Sequence, residues 1–397
     1  MTATQVMKGV RVLEVAEHTF VPAASALLAD WGAEVIKIEP TERGDAMRGL
    51  AATGVMNIGG DVHPLLQHSN RGKRSLALDL STPDGLGILY QLAETADVFL
   101  TNKLPHVRKK LKIELEDVRA HNRNIIYVAG TGQGERGPDA DKGSYDSLSF
   151  WFRPGVSIGV KPADSDHLPG PPGPGFGDSI GAMTIAGGIM GALFHRERTG
   201  EGQEVEVAMF ETMASFMLVE HANGALFSPA LGPAAYPRVV TPNRRPYRTR
   251  DGYLSALVYN DKQWVAFVAA VKPPWAGEHL ATLEQRIPQL DAVYARLAET
   301  FAERTTQEWL DLLRPLGIPA APVRTLDELF DNPHLNQAGF FQTVDSPNGP
   351  VRFPGPPAWF SKTPGRIAGP APRLGEHTAE IMDEIQASSD GEAADGH

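Results

Sequence analysis

The strongest constraint on the fold is an alternation of strand-like and helix-like segments that begins near the amino terminus. Residues 10–15 form a short β-branched run, residues 22–31 are rich in Ala and Leu, and residues 33–39 alternate as a strand does. Two strands joined by one helix imply a parallel pair with a right-handed crossover. The alternation therefore predicts an α/β fold with a doubly wound sheet. The pattern continues with strands at 75–80, 98–100, 125–129 and 205–209 and helices at 83–94 and 115–121.

The loop after the first strand, residues 16–22, reads Ala-Glu-His-Thr-Phe-Val-Pro and contains no glycine. A G-x-G-x-x-G turn at this place would bring the backbone close to the pyrophosphate of a dinucleotide. Because that turn is absent, the sequence argues against a nicotinamide or flavin dehydrogenase.

Composition excludes several kinds of site. The 397 residues include no cysteine, which rules out disulfides, zinc–thiolate sites and thiol nucleophiles. No H-E-x-x-H motif or Asp-rich calcium loop is present, so we expect no metal site. The net charge of −11 argues against a surface that binds nucleic acid. No run approaches the ~20 apolar residues of a membrane span, and residues 1–8 lack a signal-peptide core, so we expect a cytoplasmic protein without a membrane partner.

Two domains are expected, since 397 residues exceed what one core usually carries, and the composition changes beyond about residue 225. Residues 1–220 would form the first part of a large domain, and residues 221–330 would form a smaller one with a hairpin or strand at 252–259. The tail, residues 387–397, is rich in Ser, Asp, Gly and Ala and is predicted to be disordered.

Asp178 is the first candidate for chemistry. It follows a Pro- and Gly-rich segment, residues 153–177, and precedes an apolar helix predicted over 179–197. An Asp at this place is a favoured N-cap, and that structural role is the more frequent one. A carboxylate at a helix start also lies in positive potential, so it would stay ionised beside N–H donors and could act as a nucleophile or base. Position alone leaves both interpretations open.

Residues 177–181, Gly-Asp-Ser-Ile-Gly, also match the G-x-S-x-G elbow of serine hydrolases, with Ser179 as the nucleophile. That motif needs a buried strand directly before it, whereas a Pro- and Gly-rich segment precedes it here. The triad histidine would have to be His334 or His377, and both stand in loop-like segments. The hydrolase is therefore a remote alternative.

Two basic clusters lie near the ends of successive predicted strands. Residues 71–74 read Arg-Gly-Lys-Arg, and residues 108–112 read Arg-Lys-Lys-Leu-Lys and follow Asn102-Lys103. A single cluster of this kind is usually a solvated surface. Two of them point to the phosphates of a nucleotide-like ligand, because ligands of doubly wound sheets bind in the crevice at the strand ends.

Several short motifs recur together in one known family. They are residues 12–15 (Val-Leu-Glu-Val), 28–39 (Leu-Ala-Asp-Trp-Gly-Ala-Glu-Val-Ile-Lys-Ile-Glu), Gly44-Asp45, Arg48, 70–80 (Asn-Arg-Gly-Lys-Arg-Ser-Leu-Ala-Leu-Asp-Leu), 96–98, Gly177-Asp178, 196–203 and 374–378 (Leu-Gly-Glu-His-Thr). With these motifs in this order, the chain resembles the family III CoA-transferases over nearly its whole length. That family includes formyl-CoA transferase, carnitine CoA-transferase and α-methylacyl-CoA racemase.

The resemblance implies a fold and a reaction. The fold would be a Rossmann-like large domain plus a smaller α+β domain, with residues 331–386 completing the large domain, in a homodimer of two interlocked chains. Asp178 would attack the thioester of an acyl-CoA to give an aspartyl–acyl anhydride and then an aspartyl–CoA thioester, from which CoA passes to a carboxylic acid. Coenzyme A would enter as the acyl-CoA substrate, near His18, Thr19, Phe20, Arg48, Arg74, Leu78, Asn102, Lys103, Lys110, Tyr145 and Asp146.

The chain departs from the family pattern in the first loop and after Asn102. Phe20-Val21-Pro22 stands in place of Ala-Gly-Pro, and Lys103 stands in place of Phe, so CoA would be held somewhat differently. Residues 241–248 also lack the glycine-rich loop that shields the intermediate in some transferases. Three arginines of that segment are compatible with an acidic substrate, although solvation at the surface is the more frequent role: Arg244, Arg245 and Arg248.

Tyr145 decides between the two branches of the family. The racemase branch places a His there and uses it, with the Asp that matches Asp178, as a pair of bases on the α-carbon. Tyrosine has an ordinary pKa near ~10 and is a poor partner for reversible proton abstraction at neutral pH. The transferase is therefore favoured, and the racemase remains the alternative.

Overall fold

The protein forms two compact units in the computed structural model, which describes residues 5–50, 63–162, 165–236, 241–347 and 349–395. The sheet unit holds the described residues within 1–156, 170–217 and 337–397, and the second unit holds those within 157–169 and 218–336. The predicted domain boundaries, and the pairing of two interlocked chains, stay predictions.

The sheet unit is built on six parallel strands in the order β3-β2-β1-β4-β5-β6, which confirms the predicted α/β class. This is the order of a doubly wound sheet, in which the direction of winding reverses between β1 and β4. A separate antiparallel hairpin, β10 and β11, belongs to the same unit. The strands are β1 (Arg11–Val15), β2 (Glu34–Glu39), β3 (Arg74–Ala77), β4 (Val98–Thr101), β5 (Ile126–Thr131), β6 (Glu204–Ala208), β10 (Phe341–Val344) and β11 (Val351–Pro354).

Helices cover both faces of this sheet, as the alternation of side chains along each strand requires. Val12 on β1 belongs to the core on the face of α1 and α8, whereas the next residue, Leu13, belongs to the core on the face of α4. The helices of the unit are α1 (Phe20–Asp30), α2 (Ala46–Gly49), α3 (Pro64–Asn70), α4 (Pro83–Glu94), α5 (Pro105–Leu111), α6 (Leu115–Arg119), α7 (Val156–Gly159, shared with the second unit), α8 (Phe176–Thr199), α9 (Met209–His221, which continues into the second unit) and α16 (Thr378–Asp395).

Helix α8 packs closely against α1. A Cβ on Gly181 would collide with the rings of Phe20 and Phe150, so only glycine fits at this crossing. Among the described residues α8 is also the one helix long and apolar enough to cross a membrane, a property that core helices of soluble proteins share. At the other end of the chain, α16 continues through residues 387–395, where the sequence predicted disorder. The Ala, Glu and Asp residues of that segment are compatible with a helix.

The second unit packs helices against a small antiparallel sheet, β7-β8-β9. Phe267, Phe301 and Trp309 fill its core, and Trp309 donates its indole N–H to the Phe301 carbonyl at 2.8 Å. Its elements are β7 (Tyr247–Arg248), β8 (Tyr253–Ala256), β9 (Ala320–Pro322), α10 (Asp261–Val271), α11 (Leu283–Arg286), α12 (Leu290–Phe301), α13 (Thr306–Leu313), α14 (Leu326–Phe330) and α15 (Pro333–Gln337, which ends in the sheet unit).

Candidate functional site

Asp178 lies in the first turn of α8, as the third residue of the helix and not at its N-cap. The N-cap is Gly175, whose φ of 74° is left-handed and therefore suits glycine. The Asp178 side chain is 9% exposed, and within the described part of the chain its Oδ1 has no hydrogen-bond partner. The predicted capping role of Asp178 is therefore wrong, and the described residues leave its Oδ1 available for other chemistry.

Asp146 caps α8 from outside the helix. Its Oδ1 accepts the backbone N–H of Asp178 at 2.9 Å, and the backbone N–H groups of Gly175 and Gly177 also stabilise the charge of this carboxylate. A negative charge at a helix start is stabilised by these N–H groups and by the helix dipole. The Asp178 N–H, one of the predicted oxyanion donors, is thus already bonded to Asp146, because Asp146 reaches the helix start from the segment before a π-helical turn at Ser147–Phe152.

The two neighbouring carboxyl groups raise each other's cost of ionisation. Burial, and second the charge of Asp146, raises the pKa of Asp178 from 3.8 to about 7. Burial also raises the pKa of Asp146, although the backbone N–H groups that it caps oppose this. The prediction that Asp178 stays firmly ionised is therefore wrong: near neutral pH its protonated and ionised forms are both populated.

The first loop brings two predicted residues to this place. Thr19 is buried, and its methyl group lies 3.3 Å from where a Cβ on Gly175 would stand, beside the Asp178 carboxylate. The ring of His18 meets that of Tyr145 edge-on, with 5.7 Å between centroids. The loop thus links Tyr145 and Asp146 to Asp178.

A cavity of about 450 Å³ opens at the carboxyl ends of β1 to β4. This is the switch point at which doubly wound sheets bind ligands. Leu78 and Lys103 line it, as predicted, together with Glu17 and Arg43. Lys103 and Arg43 both pair with Glu17, at 3.2 and 3.1 Å.

Asn102 has a structural role beside this cavity. Its side-chain amide accepts the Glu17 N–H at 3.1 Å and donates to the Glu17 carbonyl at 2.7 Å, which fixes the first loop. Phe20 is buried against Phe150 at the start of α1. Lys110 lies exposed on α5 and is not part of the cavity lining.

Neither of the two predicted arginines lines the cavity. Arg48 pairs with Glu39 at 2.7 Å and donates to the Pro372 carbonyl. Arg74 lies at the amino end of β3, opposite to the cavity, where it pairs with Glu34, Glu380 and Glu384.

The other cations of the basic segment 71–74 are engaged in the same way. Arg71 pairs with the buried Asp30 at 2.7 Å, and Lys73 pairs with the buried Glu14 at 2.6 Å. The carboxylates that engage this cluster come from distant parts of the chain, which the local sequence does not reveal.

Ser179 is not arranged as a hydrolase nucleophile. It lies inside a helix, and its Oγ donates to the Gly175 carbonyl at 2.8 Å. The nearby histidine is His68, with Nε2 3.5 Å from Oγ, and sequence reasoning missed it because it carries no motif. Burial, and next the charges of Arg71 and Lys73, lowers the pKa of His68 to about 4, so it is a weak base.

The histidines proposed from sequence lie elsewhere. His377 precedes α16 and accepts the Ser75 N–H on Nδ1 at 3.2 Å, and His334 is an exposed residue of α15 in the second unit. Within the described residues no group of three or more His, Asp or Glu side chains could hold a metal ion.

Comparison with known proteins agrees with this fold. The family model described as "CoA-transferase family III" matches residues 7–378. The chain belongs to this family and is an enzyme of the CoA-transferase class.

Named relatives cover almost the entire chain. The succinate–glutarate CoA-transferase of Agrobacterium fabrum is 30% identical over 96% of both chains. The (R)-2-hydroxy-4-methylpentanoate CoA-transferase of Clostridioides difficile is 28% identical over 95% of this chain and 94% of its own. A crystal structure of Rv3272 from Mycobacterium tuberculosis superimposes with a TM-score of 0.81 at 26% identity, over 96% of this chain and 100% of that one.

Proposed function

We propose that this enzyme moves CoA from an acyl-CoA to a carboxylic acid with Asp178 as the covalent nucleophile. The observation that carries the proposal is the buried Asp178 carboxylate, whose Oδ1 lacks a hydrogen-bond partner in the described part of the chain. An oxygen that is neither solvated nor bonded is poorly stabilised as an anion and is a better nucleophile once ionised.

The reaction begins with two displacements. An Asp178 oxygen attacks the thioester carbonyl, the carbon–sulfur bond breaks, and CoA leaves as a thiolate, which gives an aspartyl–acyl anhydride. The thiolate then attacks the Asp178 carbonyl carbon of the anhydride. The bond to the donor carboxylate breaks, and an aspartyl–CoA thioester remains.

The same steps then run in reverse with the second acid. The acceptor carboxylate attacks the aspartyl thioester and expels the CoA thiolate, and the thiolate takes the acceptor acyl group from the new anhydride. Asp178 returns as a carboxylate, and no proton is gained or lost overall. The chemistry therefore needs an ionised Asp178 but no general acid.

The cavity at the strand ends is the proposed place for the nucleotide part of CoA. Its volume of about 450 Å³ and its position at the switch point support this. Leu78 would supply an apolar contact, and Lys103 with Arg43 would supply positive charge for phosphates once their shared partner Glu17 is displaced or solvated.

The racemase alternative is less well supported by the geometry. Tyr145 is 68% exposed and its ring packs against His18, so nothing in its described surroundings prepares the phenol as a base. Deuterium entry at the α-carbon of a 2-methylacyl-CoA in D₂O would reveal racemase chemistry.

We also infer that the enzyme works as a homodimer. Two large apolar side chains of the sheet unit, Phe194 on α8 and Phe216 on α9, are 64% and 53% exposed. Exposed aromatic side chains of this size are frequent at protein interfaces. Light scattering at micromolar concentration should give twice the chain mass, and a monomer mass would contradict the inference.

The proposed reaction can be tested by an exchange assay. The enzyme is incubated with an acyl-CoA and a panel of isotopically labelled carboxylic acids, including succinate, glutarate and 2-hydroxy-4-methylpentanoate, and new thioesters are measured by mass spectrometry. A labelled acyl-CoA that forms with wild type but not with Asp178→Asn is the expected result. Thioester hydrolysis without transfer to any acid would contradict it.

A further inference from the structure

The first loop contains a strained residue next to the candidate site. His18 has a φ of 69°, in the left-handed region that side-chain-bearing residues rarely adopt. A residue stays in this region only when its surroundings hold it there, and such residues concentrate at functional sites. The contacts that hold His18 are therefore informative.

Asp45 makes the contact to the strained residue itself. Its Oδ1 accepts the His18 backbone N–H at 3.0 Å and also the Met47 N–H at 2.9 Å. Its other oxygen lies 2.8 Å from the Lys37 ammonium, and both side chains are fully buried. Asp45 is thus fixed on both sides and presents one oxygen to the loop.

The same buried network holds the two ends of the loop. Lys37 donates to the Ala16 carbonyl at 2.9 Å, and Lys73 donates to the Pro22 carbonyl at 2.8 Å. Glu14 joins the two lysines, at 2.6 Å from each. Four buried charges therefore hold residues 16–22 by their backbone.

The first loop in turn contacts the residues that surround the Asp178 carboxylate. His18 places its ring against Tyr145, whose neighbour Asp146 bonds the N–H of Asp178. Thr19 packs beside Gly175 in the turn that holds Asp178. A change in the conformation of His18 would displace both contacts.

We propose that Asp45 is a positioning residue for CoA transfer, which keeps His18 left-handed so that the first loop stays closed on the turn of Asp178. The proposal rests on the proposed function of Asp178. Asp45 would affect the reaction by fixing the φ angle of His18. This role differs from a general contribution to the stability of the protein.

Glycine at position 18 provides the test, because glycine adopts the left-handed region without steric cost. His18→Gly and His18→Ala both remove the ring, but only the Ala variant still needs Asp45 to hold the angle. Asp45→Ala is introduced into wild type and into each variant, and single-turnover acylation by an acyl-CoA is followed.

The expected result is a loss of about tenfold in the acylation rate when Asp45→Ala is added to wild type or to His18→Ala, which corresponds to the population penalty of a left-handed non-glycine residue. In the His18→Gly background the same substitution should cost less than about twofold. Because Asp45 also lines the cavity, KM for the acyl-CoA is measured together with the rate, and any change in KM should be the same in the Gly and Ala backgrounds. An equal loss in the Gly and Ala backgrounds would overturn the proposal.

Asp45→Ala leaves Lys37 with one carboxylate fewer and could prevent folding. The combined substitution Lys37→Met and Asp45→Ala removes one charge of each sign and keeps the Glu14–Lys73 pair. It is introduced into wild type, His18→Gly and His18→Ala, and an equal loss of acylation rate in the Gly and Ala variants would again overturn the proposal. Asp178→Asn distinguishes the two proposals. If it retains transfer, the proposed nucleophile is wrong, whereas a background-independent loss with Asp178→Asn inactive overturns only the role of Asp45.

Discussion

Two buried carboxylates of the sheet unit have opposite environments. Glu14 is fully buried and pairs with Lys37 and Lys73, both at 2.6 Å. Burial alone would raise its pKa, but the two lysines hold it below the ordinary value. Asp178 is nearly as buried, yet Asp146 is its charged neighbour, and its pKa rises to about 7.

The difference shows that burial does not define a reactive carboxylate. A shift from 3.8 to about 7 corresponds to roughly 4 kcal/mol between the two protonation states. At Glu14 the surrounding charges balance the cost of burial, whereas at Asp178 the fold leaves it uncompensated. The first arrangement stabilises structure, and the second supplies a nucleophile.

The largest expected effect follows from removing the uncompensated carboxylate. Asp178→Asn should lower transfer by a factor on the order of 10⁴ or more, because the proposed covalent intermediate forms on this carboxylate. Its stability at pH 8 should equal or exceed that of wild type, since a buried, poorly paired charge is lost. Exchange kinetics and urea unfolding measure both quantities, and a variant with more than a tenth of wild-type activity would refute the assignment.

Removing the Glu14 carboxylate should lower the stability of the protein. Glu14→Gln leaves two buried lysines short of a partner, and the free energy of unfolding should fall by about 3–5 kcal/mol. Glu34→Gln is the matched control, because Glu34 also pairs with two cations but is about one third exposed and should cost at most about 1 kcal/mol. Equal losses for the two variants in urea unfolding would show that burial is not the deciding factor.

The two carboxylates also differ in their expected pH dependence. Acylation should rise with pH through a midpoint near 7, where Asp178 ionises. Asp146→Asn removes the like charge and should shift this midpoint to lower pH, although burial, the larger cause, remains. A midpoint that stays in place or rises would contradict the electrostatic coupling.

The same raised pKa has a consequence for stability. Because the folded state binds the Asp178 proton more tightly than the unfolded chain does, the Asp178 contribution to stability should decrease as pH rises from about 4 to 7. The difference in unfolding free energy between wild type and Asp178→Asn, measured across this range, should change in that direction.

The smallest effect is expected at the neighbouring hydroxyl. Ser179→Ala removes one hydrogen bond to the Gly175 carbonyl and should lower transfer at most about fivefold. Abolished thioester turnover in this variant, with Asp178→Asn still active, would instead support the hydrolase alternative.

Sequence reasoning reached the fold because strands of the parallel sheet such as β1, β2 and β5 are local runs rich in β-branched residues. Helix 83–94 was predicted with its observed bounds, since Thr82 and Pro83 mark its start. Asp178 was singled out for the same reason, as its place beside a helix start is a local property. Features that depend on residues close together in the sequence could therefore be predicted.

The environment of Asp178 could not be predicted, because it depends on contacts distant in sequence. Asp146 is 32 residues away and accepts the Asp178 N–H, which was expected to be available. The basic segment 71–74 was expected to bind phosphates, but Asp30 and Glu14 engage Arg71 and Lys73. Local sequence shows that a charge is present, and only the tertiary structure shows which charge faces it.

Chemical trapping of the intermediate tests the central claim most directly. The enzyme is mixed with an acyl-CoA and hydroxylamine, digested, and analysed by mass spectrometry. The expected result is a hydroxamate on Asp178 that requires the acyl-CoA and is absent from Asp178→Asn. Active transfer with no modification of Asp178, or with the modification on another residue, would contradict the account.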